Sequence, residues 1–328
     1  MATYDITNRR LVSRRRFFAI AGSAGAACWV GSRSVLGGLR VAHAALVGDS
    51  LVEKIRRAAA TDPMKVERLR GNVSVVFGSG GNVAVFPGSD GTVLVDAGIV
   101  GPRVAASVAK ISDTPVRYLI NTHWHFDHTD ANEFWNTQGA SITAHENTRK
   151  HLNEQTRVAD WNYTFPPAPP AALPTTVLSD ERAVRLNGSR IVARYYGPAH
   201  TDSDISVHFA DSDVLHVGDT FWNGLYPFID YSTGGSIDGM IRATNDNLAR
   251  VSATTVIIPG HGPVGNKTQL TTYRDMLVAV RDRVATLKQQ GRTVMDVLAE
   301  KPTAEFDAKW GTALIDPAFF TRLVYKGV

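Results

Sequence analysis

The sequence predicts an α+β fold, a four-layer αβ/βα sandwich in which two mixed β-sheets pack face to face and helices cover their outer faces. Short runs rich in β-branched residues alternate with segments of helical periodicity through most of the chain. This alternation occurs twice, each time as strands followed by a helix. Two similar halves of this kind favour two sheets that bury their apolar faces against each other.

The first half begins with three predicted strands separated by glycine-rich turns at 78–81 and 88–91, a pattern typical of hairpins. Its elements are strands at 73–77, 83–87 and 93–96, a helix at 103–111, a strand at 117–120, a short helix at 130–137, a strand at 141–144, a helix at 146–155 and a surface loop at 163–174. The second half has strands at 176–178, 182–186, 190–196, 203–209 and 214–217, a helix at 237–251, a strand at 255–258 and a long amphipathic helix at 269–289. We assign 45–69 to an N-terminal extension, 70–265 to the main domain and 266–328 to a C-terminal helical extension.

The N-terminus resembles an export leader. Ser13-Arg14-Arg15-Arg16-Phe17-Phe18 is a twin-arginine signature, an apolar stretch follows at 19–30, and Ala42-His43-Ala44 offers a cleavage site. The apolar stretch is too short for a transmembrane helix. We therefore predict that residues 1–44 are a twin-arginine signal peptide, that the Tat translocase is a partner during export, and that the mature chain is periplasmic or secreted without stable membrane insertion. The alternatives are a disordered basic arm, or lipidation at Cys28.

Removing the leader reverses the charge of the chain. Residues 1–44 hold seven of the 35 Lys and Arg and one of the 31 Asp and Glu, which leaves 28 basic against 30 acidic groups. Nucleic-acid binding needs a clustered basic surface, so we predict a small-molecule substrate and no nucleic-acid partner. The single cysteine, Cys28, leaves with the leader, which excludes disulfides and thiolate ligands from the mature chain. The sequence does not indicate an oligomeric state.

Seven side chains suited to metal binding mark the functional site. They are His123, His125, Asp127, His128, His200, Asp219 and His261. Four lie in one run after a predicted strand, and each of the others follows a further strand. Imidazole nitrogens and carboxylate oxygens are ligands that Zn²⁺ accepts, and seven exceed the four of one tetrahedral ion. The set predicts two ions that share a carboxylate, with a hydroxide between them as the nucleophile.

The spacing of the run supports two ligand groups. His123 and His125 flank one residue of extended backbone, so their rings emerge on the same side and can reach one ion. Asp127 and His128 fall where the chain turns into the next predicted helix, so we expect their side chains to reach a second ion.

Four motifs resemble, in order, those of the metallo-β-lactamase fold superfamily. His123-Trp124-His125-Phe126-Asp127-His128 is similar to its H-x-H-x-D-H motif, and segments 197–201, 218–220 and 259–262 are similar to the remaining motifs. The resemblance covers residues 70–265 and implies the sandwich fold. It also implies a first metal bound by His123, His125 and His200, a second bound by Asp127, His128 and His261, and Asp219 as the bridge.

The resemblance implies a function as well. A bridging Asp at 219 is similar to the glyoxalase II and lactonase branches, whereas antibiotic-hydrolysing members typically have Cys or a non-ligating Ser near that place. We predict a binuclear hydrolase of a carboxylic ester, lactone or amide with two Zn²⁺ as cofactors, iron being the alternative metal. The competing interpretations are a mononuclear iron sulfur dioxygenase of the same fold, a true β-lactamase, and a binding module with structural metals.

Residues around the ligands receive supporting roles. Asp127 is predicted to orient the nucleophile or relay its proton besides binding metal, and Tyr231 to donate its phenol to an oxyanion. Asp96 is either the acceptor for the second nitrogen of a ligating histidine or a capping residue. The aromatic stretches 161–174 and 221–228 either wall the site or pack on each other.

The other histidines of the main domain are placed outside the ligand set. His208 is assigned to the solvent side of its strand and His216 to the core. His145 is assigned a structural role and His151 a solvated helix face.

Overall fold

A computed structural model describes residues 50–328. The predicted leader at 1–44, with Cys28, and the first residues of the predicted N-terminal extension lie outside the described residues. Within the described part, no helix is long and apolar enough to cross a membrane.

The first sheet has seven strands. In chain order they are β1 (Lys65–Arg68), β2 (Ser74–Phe77), β3 (Val83–Phe86), β4 (Thr92–Val95), β5 (Val116–Ile120), β6 (Ser141–His145) and β9 (Thr176–Leu178). Chain order is also the order of pairing. The pairs from β1 to β4 are antiparallel, and those from β4 to β9 are parallel. This is therefore a mixed sheet, as predicted.

The second sheet has five strands that pair in chain order. They are β10 (Glu181–Leu186), β11 (Ser189–Tyr195), β12 (Ile205–Phe209), β13 (Val214–His216) and β14 (Val256–Ile258). Only β13 and β14 pair in parallel. A separate hairpin joins β7 (Thr156–Val158) to β8 (Tyr163–Phe165).

Helices cover both sheets. They are α1 (Leu51–Thr61), α2 (Gly101–Val108), α3 (Phe126–Thr129), α4 (Asn132–Thr137), α5 (Glu146–Asn153), α6 (Ile237–Arg250), α7 (Lys267–Gln289), α8 (Val294–Ala299), α9 (Ala304–Trp310) and α10 (Pro317–Gly327). The long predicted helices and most predicted strands lie within two residues of their observed bounds.

Alternating side chains of the strands fill different cores, as the two-residue period of a strand requires. On β4, Val93 and Val95 face the core between the sheets, whereas Leu94 faces the layer that holds α2 and α4. Across the middle core, the rings of Phe86 and Phe209 lie 5.2 Å apart. A third core joins the outer face of the second sheet to α6 and α7. These layers confirm the predicted four-layer sandwich.

Several elements differ from the predictions, among them α1 and β7, which lie in segments for which no element was predicted. Strand β9, predicted in the second half, pairs with β6 of the first sheet. Strand β1 lies in the predicted N-terminal extension but is the edge strand of the first sheet, and β8 lies in the predicted surface loop 163–174. Strands of three or four residues are too short for periodicity to identify them or to select their partners.

The C-terminal helices pack against the second sheet and its helices. The ring of Phe320 on α10 stacks on Tyr226 at 4.6 Å, and Trp310 at the end of α9 lies 5.7 Å from Tyr273 on α7. Segment 266–328 therefore shares a core with the rest of the chain.

We expect Phe320→Ala to destabilise the fold by about 3–5 kcal/mol, because it removes a fully buried ring and leaves a cavity. Urea unfolding followed by circular dichroism measures the change. The matched control is Met295→Ala on α8, whose side chain is 70% exposed, and it should unfold within about 0.5 kcal/mol of the parent. Equal stability of the two variants would contradict a shared core.

Candidate metal centre

The seven predicted ligands come together where loops leave both sheets. Residues 121–128 follow β5 and run into α3, and His200 lies in the loop between β11 and β12. Asp219 lies in a short 3₁₀ turn, Gly218–Thr220, directly after β13, and His261 follows β14. Four chain segments thus meet at one edge of the sandwich.

The donor atoms form two groups. Within each group, one donor atom of every residue lies within 4.8 Å of the others. The first group holds His123, His125, His200 and Asp219, and the second holds Asp127, His128 and His261. This division matches the one that the resemblance implied, although ligation itself stays a prediction.

Asp219 lies between the groups. Its Oδ2 is 3.3 Å from Nε2 of His200 and 3.3 Å from Nε2 of His261, while its Oδ1 is 3.1 Å from Nε2 of His128. One carboxylate therefore contacts imidazoles of both groups, the position that a bridging ligand needs.

Several donor atoms are buried without a hydrogen-bond partner. Within the described part of the chain they are Nε2 of His123, His128 and His261 and Oδ1 of Asp219. The 3.1 Å approach of Asp219 Oδ1 to His128 Nε2 lacks hydrogen-bond geometry. Buried polar atoms are nearly always paired, and unpaired nitrogens and a carboxylate oxygen that face one another are suitable for divalent ions. The residues present therefore fit a metal centre.

The opposite nitrogen of four histidines is held by a hydrogen bond. His128 Nδ1 lies 2.7 Å from Asp96 Oδ2, and His125 Nε2 lies 3.1 Å from Asp230 Oδ2. His200 Nδ1 donates to the carbonyl of Phe228 at 2.8 Å. His123 Nδ1 lies 3.0 Å from Thr122 Oγ1. Each contact fixes the ring so that its other nitrogen points into the cluster.

Asp96 makes the contact proposed for it rather than capping a helix. Its carboxylate also accepts from the amide and hydroxyl of Thr122, at 2.7 and 2.8 Å. Its backbone has a φ of +67°, in the left-handed region that non-glycine residues seldom adopt. Strained backbone of this kind is held by its surroundings and concentrates at functional sites.

Asp230 is a functional residue that the sequence did not indicate. Besides His125, its carboxylate accepts from Thr233 Oγ1 at 2.7 Å and from the amide of Ser232 at 2.9 Å. The pattern Asp-x-Ser is typical of a turn or helix cap, and Asp230 indeed caps the 3₁₀ turn Tyr231–Thr233. Nothing in the local pattern shows that His125, 105 residues away, shares this carboxylate.

Two glycines allow the backbone to approach the cluster. A Cβ at Gly81 would collide with the ring of His128, and a Cβ at Gly260 would collide with Oδ1 of Asp219. Asn82 ties these loops together, because its amide group donates to the carbonyls of Pro259 at 2.8 Å and Gly262 at 2.9 Å. The glycine-rich segments are therefore required for close packing around the ligands.

Burial and charge act in opposite directions on the titration of the cluster. Burial lowers the pKa of His200 to about 4. For His261 burial also favours the neutral form, but Asp219 and Asp127 outweigh it and raise the pKa to about 9. Burial raises the pKa of Asp127, and the neighbouring His128 and His261 more than offset this and lower it to about 2. The carboxylates of Asp127 and Asp219 therefore stay ionised, and their negative charges favour cations bound between them.

The phenol of Tyr231 lies against the last helix. A Cβ at Gly327 would collide with its oxygen, and the ammonium of Lys326 lies 5.3 Å from its ring centroid. Its predicted role as an oxyanion donor stays a prediction.

The remaining histidines have structural partners. His216 is buried and donates to the carbonyl of Asn82 at 3.0 Å, as expected for a core residue. His145 is buried and stacks on Tyr195 at 3.9 Å. His208 is half-buried on the face of β12 opposite Val207 and Phe209.

The prediction for His151 was wrong. Its side chain is only 10% exposed and pairs with Asp202 at 2.8 Å. The charged helix face suggested solvent, but Asp202 comes from the loop after β11, which sequence spacing along the helix cannot show.

The two aromatic stretches divide between the site and the core. The ring of Trp161 lies 4.9 Å from His125 and stacks on Phe228 at 4.6 Å. The ring of Trp222 lies 4.2 Å from His261. Phe221 packs instead against Tyr273 at 5.1 Å. Both interpretations of these stretches therefore apply, each to different residues.

Two packed sheets with a His and Asp cluster at one edge are features that this chain shares with a known group of metalloproteins. The chain belongs to the metallo-β-lactamase superfamily, whose family profile matches residues 76–265. Members are generally metal-dependent hydrolases, and the His and Asp cluster of this chain could hold metal ions. The family predicted from the motifs is thus confirmed.

Individual relatives are distant. The metallo-β-lactamase IND-1 of Chryseobacterium indologenes is 23% identical over 155 residues, which are 47% of this chain and 59% of that protein. The chain thus spans about three fifths of the length of this curated relative. Among solved structures, DIM-1 metallo-β-lactamase has a TM-score of 0.53 and 20% identity, over 66% of this chain and 99% of that one. The sec-alkylsulfatase Pisa1 from Pseudomonas sp. has a TM-score of 0.59 and 17% identity, over 84% of this chain and 52% of that one. At such identities the structures support the fold alone.

We expect Asp230→Asn to lower the affinity of the centre for divalent metal by about 10–100-fold, because the amide no longer provides a charged acceptor for His125. Competition with a chromophoric chelator measures the affinity. The control is Asp211→Asn, an exposed carboxylate that also accepts a backbone amide, from Arg190 at 2.8 Å. Equal affinities of the two variants would show that Asp230 does not tune the site.

Proposed function

We propose that the mature chain is a binuclear zinc hydrolase of carboxylic ester, lactone or amide bonds. The observation that carries the proposal is the position of the Asp219 carboxylate, within 3.1–3.3 Å of histidines from both donor groups. A structural zinc site is closed by four ligands, whereas these groups offer seven donors around one shared carboxylate.

Two divalent ions held in this way would supply a nucleophile at neutral pH and Lewis-acid polarisation of the attacked carbonyl. His123, His125 and His200 would hold the first ion, Asp127, His128 and His261 the second, and Asp219 both. Asp127 stays ionised over the physiological range, so it can orient the nucleophile by accepting its hydrogen bond. The side chains of Asp127 and His261, at 12% and 18% exposure, are more open than the others, which supports a substrate entrance beside them.

The competing interpretations use less of the arrangement. A mononuclear iron dioxygenase needs only one donor group, and the second would then hold buried, unpaired donors without a role. β-Lactamase activity is compatible with a hydroxide nucleophile, and the relatives IND-1 and DIM-1 carry that name. For this reason a β-lactam belongs in the substrate panel.

We expect the purified mature chain, reconstituted with zinc, to bind about two Zn²⁺ per chain and to hydrolyse at least one of an ester, a lactone and an amide. Asp219→Ala should lose at least one ion and most of the activity, since it removes the ligand shared by both groups. Elemental analysis and a panel of ester, lactone, thioester, amide and β-lactam substrates measure the two effects.

The control for this experiment is His208→Ala, which changes a histidine outside the cluster and should keep both metal content and rate. One tightly bound iron together with oxidation of thiols would refute the hydrolase. Hydrolysis of the β-lactam alone would identify a β-lactamase.

We also propose that the chain is exported by the twin-arginine route, on the strength of the arginine pair and the cleavage site. Replacing Arg14 and Arg15 by Lys keeps the charge but removes the guanidinium groups, so the precursor should accumulate in the cytoplasm. Fractionation and immunoblotting measure this, with Arg9 and Arg10 replaced by Lys as the control. Normal export of the Arg14 and Arg15 variant would exclude this route.

A further inference from the structure

We propose that the centre is selective for uncharged esters and lactones with an apolar acyl group, and that Trp161 determines this selectivity. This inference rests on the proposed hydrolase function and adds a substrate class to it.

An aromatic wall lies directly beside the first donor group. Trp161 lies 4.9 Å from the ring of His125, and its ring stacks on Phe228 at 4.6 Å with an interplanar angle of 28°. Phe228 in turn lies 6.1 Å from the rings of both His125 and His200. Phe228 is buried, whereas Trp161 is half-buried. The uncovered part of the indole therefore offers apolar contact area next to the ligands.

A second indole lies beside the second donor group. Trp222 lies 4.2 Å from the ring of His261, the most exposed of the ligands. In the described part of the chain, Nε1 of Trp161 and Nε1 of Trp222 are both buried without a hydrogen-bond partner. An indole N–H only donates, and ester and lactone oxygens only accept. These two residues beside the ligands thus carry unpaired donors of the kind from which an ester or lactone oxygen accepts.

The charge around the donor atoms does not favour anions. Four buried carboxylates lie in or directly behind the donor groups: Asp96, Asp127, Asp219 and Asp230. Together they offset the charge of two divalent ions. Two cations beside the aromatic wall are already paired, Arg56 with Asp130 at 2.7 Å and Lys326 with Asp160 at 3.0 Å. An uncharged acyl chain loses no favourable interaction on entering such a site, whereas a carboxylate on the acyl chain would lose its hydration beside two cations that already have partners.

The last helix contacts the wall. Asp160, next to Trp161, is the partner of Lys326 on α10, and Phe319 of the same helix lies 6.2 Å from Phe228. Phe228 of the wall therefore contacts α10 directly, and Trp161 follows in sequence the residue that pairs with Lys326 of α10. The C-terminal extension thus positions the surface to which we assign recognition of the acyl group.

The test uses a matched pair of ketones, which resemble esters in shape but cannot be hydrolysed. Isothermal titration of zinc-loaded protein with octan-2-one and with 7-oxooctanoate compares a neutral chain with its anionic counterpart. We expect the neutral ketone to bind at least about tenfold more tightly. Trp161→Leu should weaken its binding by about tenfold, and Trp161→Phe should restore most of the loss, because the ring is what the chain contacts.

The matched control is Phe306→Leu, a half-buried aromatic residue on α9 that packs under Arg283; it should leave ketone binding unchanged. Zinc content and circular dichroism confirm that each variant is folded and loaded. Equal or tighter binding of 7-oxooctanoate overturns the selectivity, and unchanged binding by Trp161→Leu overturns the assignment of Trp161.

A second pair separates this proposal from the hydrolase itself. 4-Nitrophenyl hexanoate and mono-4-nitrophenyl adipate share a six-carbon acyl chain and differ by one terminal carboxylate. Hydrolysis of both at equal kcat/KM keeps the hydrolase and refutes the selectivity. Selective ketone binding without hydrolysis of any panel substrate keeps the recognition and refutes the hydrolase.

Discussion

The buried carboxylate of Asp219 is the constraint on which the rest of the site depends. It is 2% exposed and lies among the imidazoles of His128, His200 and His261. A carboxylate without water is costly unless charges or hydrogen bonds surround it. The loops that carry those imidazoles follow strands of both sheets. The negative charge of Asp219 is therefore compensated only when the two sheets are packed together. The site of this chain therefore forms only together with the packed fold.

Short connections from the strand ends hold these side chains in place. Asp219 follows β13 within three residues, and His261 follows the parallel neighbour β14 within three residues. The backbone of Gly260 packs so closely against Asp219 that any side chain at position 260 would collide with its carboxylate. Asp96 and Asp230 then orient one imidazole in each donor group from behind. In His123 and His128 a hydrogen bond holds Nδ1, and the unpaired Nε2 faces the cluster.

The sequence predicted the layers and the seven candidate ligands that the fold brings together, because both are local patterns. The spacing within the run from His123 to His128 predicts where its side chains point. Each remaining candidate ligand follows a predicted strand. Asp230 could not be predicted, because its partner His125 is distant in sequence and its own neighbours indicate only a turn. The same reason applies to His151 and to β9, whose partners Asp202 and β6 come from other segments. What sequence reasoning missed was pairing between segments.

The donor groups and the aromatic wall have separate origins in this chain, which bears on how proteins of one fold come to act on different substrates. The donor groups are built from strand ends that the sandwich itself places together. The aromatic wall consists instead of Trp161, in the turn before β8, and Phe228, in the loop after β13, and α10, which lies outside the segment 76–265 matched by the family profile, packs against it. Lys326 and Phe319 reach Asp160 and Phe228 from beyond that segment. The proposed chemistry and the proposed recognition therefore depend on different elements of this chain, and we expect a change in the C-terminal helix to alter the aromatic wall while leaving the donor groups in place.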